Sequence, residues 1–139
     1  MDFQTDLIIR QVPNAVMQTT STNCFRACVA TLLKLSINEV PIACDGPTWD
    51  WDAFQDWLIE RGLQAVEMTF SNGGTLYPVR HKVPCIVSGQ SPRECSTGRH
   101  AIVADFIGLD GFEFRHDPHP SNLWIDGEPT HVVFFVPIF

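Results

Sequence analysis

The rhythm of the apolar residues changes at Leu63, and that change limits the fold more than any other feature of the chain. Before it, apolar positions recur at three- and four-residue spacing, the period of one-sided helices. After it come short runs rich in Val, Ile and Phe, bounded by Gly, Pro, Asn and Asp, the composition of strands and their turns. Helices first and an antiparallel sheet afterwards predict an α+β architecture, with N-terminal helices packed on a C-terminal sheet. With 139 residues, no internal repeat and no linker-like stretch, the chain reads as a single domain, 1–139, with one sizeable core.

In the helical half, Cys24–Leu35 places Ala27, Cys28, Thr31, Leu32 and Leu35 on one face, behind a polar lead-in that offers capping oxygens. LSINEVP then predicts a turn into a short helical piece stopped at Pro41. In TWDWDAFQDWLIERG, Thr48 or Asp50 caps a helix whose apolar stripe is Trp51, Phe54, Trp57, Leu58 and Leu63, with Gly62 as its stop. The helical spacing of those tryptophans marks them as packing residues. Strands are expected in QAVEMTF, VPCIVSG, HAIVADFIG, FEFRH and THVVFFVPI. Asp110–Gly111 is a preferred pair for a two-residue hairpin turn, so the strands carrying His100 and Asp117 are expected to be antiparallel neighbours. Reflecting position 100 across a turn centred near 110 gives about 121, close to 117 once a bulge is allowed.

Charge narrows the partners. Nine Lys+Arg against sixteen Asp+Glu leave a net charge of −7, with no basic stripe, so no nucleic-acid partner is expected. No apolar run approaches the roughly 18 residues of a membrane span. MDFQTDLIIRQVPN has neither the basic start nor the apolar core of a signal peptide. No membrane association and a cytoplasmic location are therefore expected, and the oligomeric state is not legible. Five cysteines at irregular spacing (Cys24, Cys28, Cys44, Cys85 and Cys95) then read as free thiols rather than as a disulfide framework.

The chemistry is carried by MQTTSTNCFRACVATLLKL, in which a polar loop delivers Cys24 to the start of a helix. Unpaired backbone N–H groups and the helix dipole favour a negative charge there, which lowers a thiol pKa from about 8.5 and makes the thiolate available. Cys28, one turn further along the inner face, reads as an inert core residue. A cysteine nucleophile needs a base, and the base needs an orienting group. Of the five histidines, His100 opens a strand directly after the loop SGQSPRECSTGR, and Asp117 follows one hairpin later. Gln18, on the loop before Cys24, can supply a side-chain amide to an oxyanion beside the Cys24 backbone N–H.

Gln18-x5-Cys24, continuing as NCFRACVATLL, resembles the nucleophile segment of papain-like cysteine peptidases, closest to the bacteriocin-processing C39 and C39-like branch. In that branch the base opens a strand as His-x-Val-Val and an Asp-Pro pair follows, as RHAIVADF and HDPHP do here. The resemblance spans Gln18 to Asp117 in order and spacing. It implies a papain-like fold, Cys24 as nucleophile, His100 as base, Asp117 as orienter and Gln18 as oxyanion donor. The implied substrate is a peptide or protein, attacked at a peptide or isopeptide bond without a metal or organic cofactor. Short proteins of bacteria and their phages look similar. Two positions depart from the family: its glycine after the nucleophile is Phe25 here, and its preceding aspartate is Asn23. Phe25 would line the substrate cleft, so a double-glycine cleavage site does not carry over. The transporter domains that usually accompany a C39 peptidase are absent from these residues. Phytochelatin-synthase-like peptidyl transferases share the Gln–Cys–His–Asp order, which leaves transfer to an amine open beside hydrolysis. Substrate contacts are expected from Asn23 and Phe25, from Trp49 in CDGPTWDW and from Arg99 at the end of the SGQSPRECSTGR loop, which is a candidate lid.

Plainer readings apply elsewhere. HDPHP matches no standard zinc spacing, and its prolines stiffen it, so no metal site is expected and His116 and His119 read as exposed loop residues. His81 and His131 read as surface or edge positions, SNGGTLYP as a turn, and Cys44 and Cys85 as packing. A peptidase-fold protein that acts by binding, as an inhibitor or decoy from a phage, is the alternative from another functional class.

Overall fold

The computed structural model describes residues 14–70, 78–93 and 98–138. SNGGTLYP up to Tyr77, the loop residues 94–97 with Cys95, and the stretch before Asn14 lie outside them. Among the described residues, two α-helices precede a five-stranded sheet, as the change of rhythm at Leu63 predicts. Helix α1 spans Cys24–Leu33 and α2 Trp51–Ile59, with short 3-10 turns at Ile37–Glu39, Ile42–Cys44 and Gly46–Thr48 between them. Strands β1 (Leu63–Thr69), β2 (Val83–Gln90), β3 (Arg99–Phe106), β4 (Phe112–His116) and β5 (Asp126–Pro137) fall on the five expected runs. Their order across the sheet is β1-β5-β2-β3-β4, and every neighbouring pair is antiparallel. None of the described helices is long and apolar enough to cross a membrane.

The alternation of the strands divides the core. Ala65, Ile86, Ala101, Val103 and Val133 face the helices, where they meet Cys28, Val29, Ala30, Phe54 and Leu58. Cys85, Val87, Ile102, Ala104 and Val132 point to the other face, among Phe106, Phe112, Phe114 and Phe134. Helix α1 is not one-sided as its spacing implied. Five consecutive residues, Ala27 to Thr31, are buried, because the sheet covers one side and the 3-10 turns and the loop before Cys24 cover others. The helix ends at Leu33, two residues before the expected Leu35, and is capped by Lys34 in a left-handed conformation (φ 59°). Asp50, one of the two caps considered for α2, accepts from the Ala53 N–H at 3.0 Å.

Two features of the sheet differ from expectation. The β3–β4 connection is not a two-residue turn at Asp110–Gly111. It runs from Ile107 to Gly111 through a 3-10 turn at Gly108–Asp110, closed by Ile107 N–H to Gly111 O at 2.9 Å. The register is Phe106↔Phe112, with a shift between Val103 and Ala104 that pairs Val103 with His116. His131, expected at the surface or an edge, is partly exposed but lies on β5, an interior strand paired on both sides. Gly89, opposite His100, sits where β5 comes close: a Cβ there would lie 3.1 Å from Ile125 Cδ1 and 3.3 Å from Glu128 O.

Candidate active site

The loop before α1 is stitched to distant parts of the chain. Val16 N–H donates to Thr31 Oγ1 in the middle of α1 at 2.9 Å, and Val16 O accepts from His116 Nε2 at 2.7 Å. Gln18 N–H donates to Pro118 O at 3.0 Å, and Gly46 N–H to Thr22 O at 3.1 Å. These bonds set the N-terminus of α1 against the end of β4 and the start of β3. His116, expected as an exposed loop residue, is buried because it supplies one of them.

Asn23 also departs from its expected place. It stands at the N-cap of α1 but gives the helix no side-chain cap, is 2% exposed and does not line the cleft beside Cys24. Its Oδ1 instead accepts from the N–H groups of Thr19 and Thr20 at 3.0 and 3.1 Å, and its Nδ2 donates to Thr19 Oγ1 at 2.8 Å. The polar lead-in is thus folded by Asn23 rather than spent on capping, and the positive end of the helix is left to Cys24.

Cys24 is half-buried in the cleft, and His100, at the start of β3, is 2% exposed beside it. His100 Nε2 bonds to Asp117 Oδ1 at 2.7 Å, which leaves Nδ1 as the ring nitrogen for Cys24. Asp117 is saturated: Oδ1 also accepts from His119 N–H at 2.9 Å, and Oδ2 accepts from Trp124 N–H at 2.8 Å. Trp124 adopts φ 64°, uncommon for so bulky a residue, and in that conformation its N–H reaches the carboxylate while its ring packs 5.7 Å from Phe114. His119 stands edge-to-face to His100 at 6.3 Å, its Nδ1 accepting from Ser121 N–H at 3.0 Å and from Ser121 Oγ at 2.7 Å.

The electrostatics follow this geometry. Burial pushes the Cys24 thiol up, but the hydrogen bond and charge of His100 and the N–H groups of Ala101 and Phe25 outweigh it, so the thiol lies below its ordinary value. Burial pulls His100 down, yet its bonds to Asp117 and Cys24 raise it from 6.5 to about 9. Burial raises Asp117, and the bonds from His100, His119 and Trp124 bring it below the usual carboxylate value. The other thiols behave oppositely: burial raises Cys28 strongly, Cys44 to about 12 and Cys85 further still. The same residue type is therefore held ionisable at one address and inert at three.

A cleft of about 440 Å³ opens on Cys24 and His100. Phe25 and Trp49 form one wall, their rings edge-to-face at 5.1 Å, with Phe54 supporting Phe25 at 5.6 Å. Ile86, Ser88, Ala101 and Val133 of the sheet make the floor, and Arg99 and Glu67 add charged side chains beside Cys24 and His100. Phe25, Trp49 and Arg99, three of the four expected substrate contacts, line this cleft. Gln18 is not among the lining residues, and its Nε2 donates to Thr20 O at 2.9 Å. No cluster of metal-ligating side chains occurs among the described residues. The sequence reading did not find the N–H groups of Ala101, His119 and Trp124, nor the Val16–His116 tie. Backbone groups leave no trace in residue type, so no signal was available for the first three.

Compared with known proteins, the chain matches no family model and no curated protein.

Proposed function

We propose that the chain is a cysteine-dependent peptidase or amidase with a papain-like, C39-like fold, acting by acyl transfer on a peptide or isopeptide bond. The observation that supports this reading is the unbroken line from Cys24 through His100 to Asp117 at the edge of a cleft, with each ionisation displaced towards the charged form. The setting we propose is the cytoplasm, where free thiols stay reduced.

In this mechanism the resting proton sits on His100 and Cys24 is a thiolate. The sulfur attacks the carbonyl carbon, forming a C–S bond and moving an electron pair onto the oxygen. The Cys24 N–H and the Gln18 amide receive that oxyanion, which requires Gln18 to turn away from Thr20. As the intermediate collapses, His100 gives its proton to the leaving nitrogen and the C–N bond breaks. Water, or an amine in the transfer reaction, then attacks the thioester while His100 takes its proton and the sulfur leaves as thiolate. Asp117 remains ionised and holds the ring. No step calls for a metal or organic cofactor.

A mixed peptide library read by mass spectrometry tests the proposal. Wild type is expected to cleave a defined subset of the peptides, and Cys24→Ala none. An intact library together with an ordinary, slow thiol at Cys24 would place the chain among proteins that act by binding.

A further inference from the structure

Arg99 is a cation in the cleft without an anionic partner among the described residues. Among the described residues, Arg26 pairs with Asp45, Lys82 with Glu113, and Arg115 with Asp105 and Glu113. Arg99 makes no such pair, although the chain carries seven more acidic than basic residues (16 − 9). It is exposed and lines both the cleft at Cys24 and an adjoining one of about 310 Å³, walled by Trp49, Trp51 and Gln55. Its place is fixed by sequence and register, because it directly precedes His100 on β3.

The opposing charge is further away. Glu67 also lines both clefts, but it projects from β1, three strand spacings from β3, or roughly 14 Å between backbones. Both charges are felt at His131 on β5, whose imidazole is lowered first by burial and then by Arg99, with Glu67 opposing. An unpaired guanidinium presents a planar fork of N–H donors that matches a carboxylate in two parallel hydrogen bonds. Beside it, Phe25 and Trp49 offer an apolar wall to the rest of the same molecule.

We propose that Arg99 is the carboxylate anchor of the cleft, so that the substrate is a peptide bearing a carboxylate within reach of Arg99 and an apolar group against Phe25 and Trp49. The inference rests on Cys24 being the nucleophile, and its test separates the two claims. Iodoacetate and iodoacetamide alkylate a thiolate by the same step: sulfur displaces iodide from the methylene carbon, a C–S bond forms and iodide leaves with the bonding pair. The reagents differ in one carboxylate. Their rate ratio at Cys24, divided by the same ratio for glutathione, therefore reports anion recognition and cancels any change in the thiolate population.

The ratio is expected to favour iodoacetate in wild type. It should fall about three- to tenfold in Arg99→Gln, fall part of the way in Arg99→Lys, which keeps the charge but loses the fork, and rise in Glu67→Gln. An unchanged ratio in Arg99→Gln, with fast iodoacetamide labelling retained, would overturn the anchor and leave the nucleophile standing. Slow labelling of wild type by both reagents would overturn both. Protection of Cys24 by capped peptides identifies the source of the carboxylate. An aspartate-containing peptide amide protects if the anchor takes a side chain, and a neutral peptide with a free C-terminus protects if it takes a chain end. Equal protection by a neutral peptide amide would overturn the anchor.

Discussion

Burial by itself would leave both Cys24 and His100 neutral, since it raises the thiol and lowers the imidazole. The two groups stay charged because each stabilises the ion of the other, and Asp117 adds a fixed negative charge behind His100. Cys24 sits below its reference of 9.0 and His100 rises to about 9, so the thiolate–imidazolium pair occupies the interval between those two titrations. Iodoacetamide labelling of Cys24 is accordingly expected to begin below the ordinary thiol range and to stay on through neutral pH. In His100→Ala, burial is left without the imidazolium. The labelling profile should move to higher pH and the rate at pH 7 should drop at least about tenfold, as mass spectrometry of the alkylated peptide would measure. Identical profiles in the two proteins would remove the pair.

At the scale of elements, the two helix starts illustrate different uses of a polar residue. Asp50 caps α2 in the ordinary way through the Ala53 N–H, and its replacement by Ala is worth about 1 kcal/mol. Asn23 leaves α1 without a side-chain cap and instead folds the loop from Thr19 to Thr20 with three hydrogen bonds in a buried site. Asn23→Ala would strand two backbone N–H groups beside the apolar start of the helix, and about 2 kcal/mol of stability should be lost. Urea denaturation of the two variants should rank Asn23→Ala as the more damaging; the opposite order would mean that the loop folds without this residue.

Over the whole molecule, Asp117 links the end of β4, the segment leading to β5 and the start of β3 through His119, Trp124 and His100. Its carboxyl is lowered from 3.8 in the folded chain, so the folded state binds its proton less readily than the unfolded one. The resulting stability is present above pH 3.8 and is lost as pH falls through the lower folded value. Asp117→Asn removes that dependence, giving a flatter acid limb, and it breaks a buried pair, which costs about 3 kcal/mol near neutrality. Denaturation midpoints measured across acid pH would show both effects, and an acid limb unchanged from wild type would assign it to other carboxylates.

The sequence by itself determined the order of the two helices and five strands and roughly where each lies, because apolar periodicity and turn residues act between near neighbours. It also listed Cys24, His100, Asp117 and Gln18 with Asn23, Phe25, Trp49 and Arg99, and it brought Cys24, His100 and Asp117 together because an α1 start and a β3–β4 pairing follow from local pattern. The hairpin estimate survived a wrong turn type, since the longer 107–111 connection and the shift at Val103 together still bring Asp117 to His100. Only the tertiary structure decided the inward direction of Asn23, the attachment of the Gln18 amide to Thr20 and the burial of His116. Only it decided that the N–H groups of Ala101, His119 and Trp124 reach the site. A side-chain amide or a backbone group bonds to whatever the packed chain places within about 3 Å of it, and for the Val16 carbonyl that partner, His116 Nε2, lies 100 residues away.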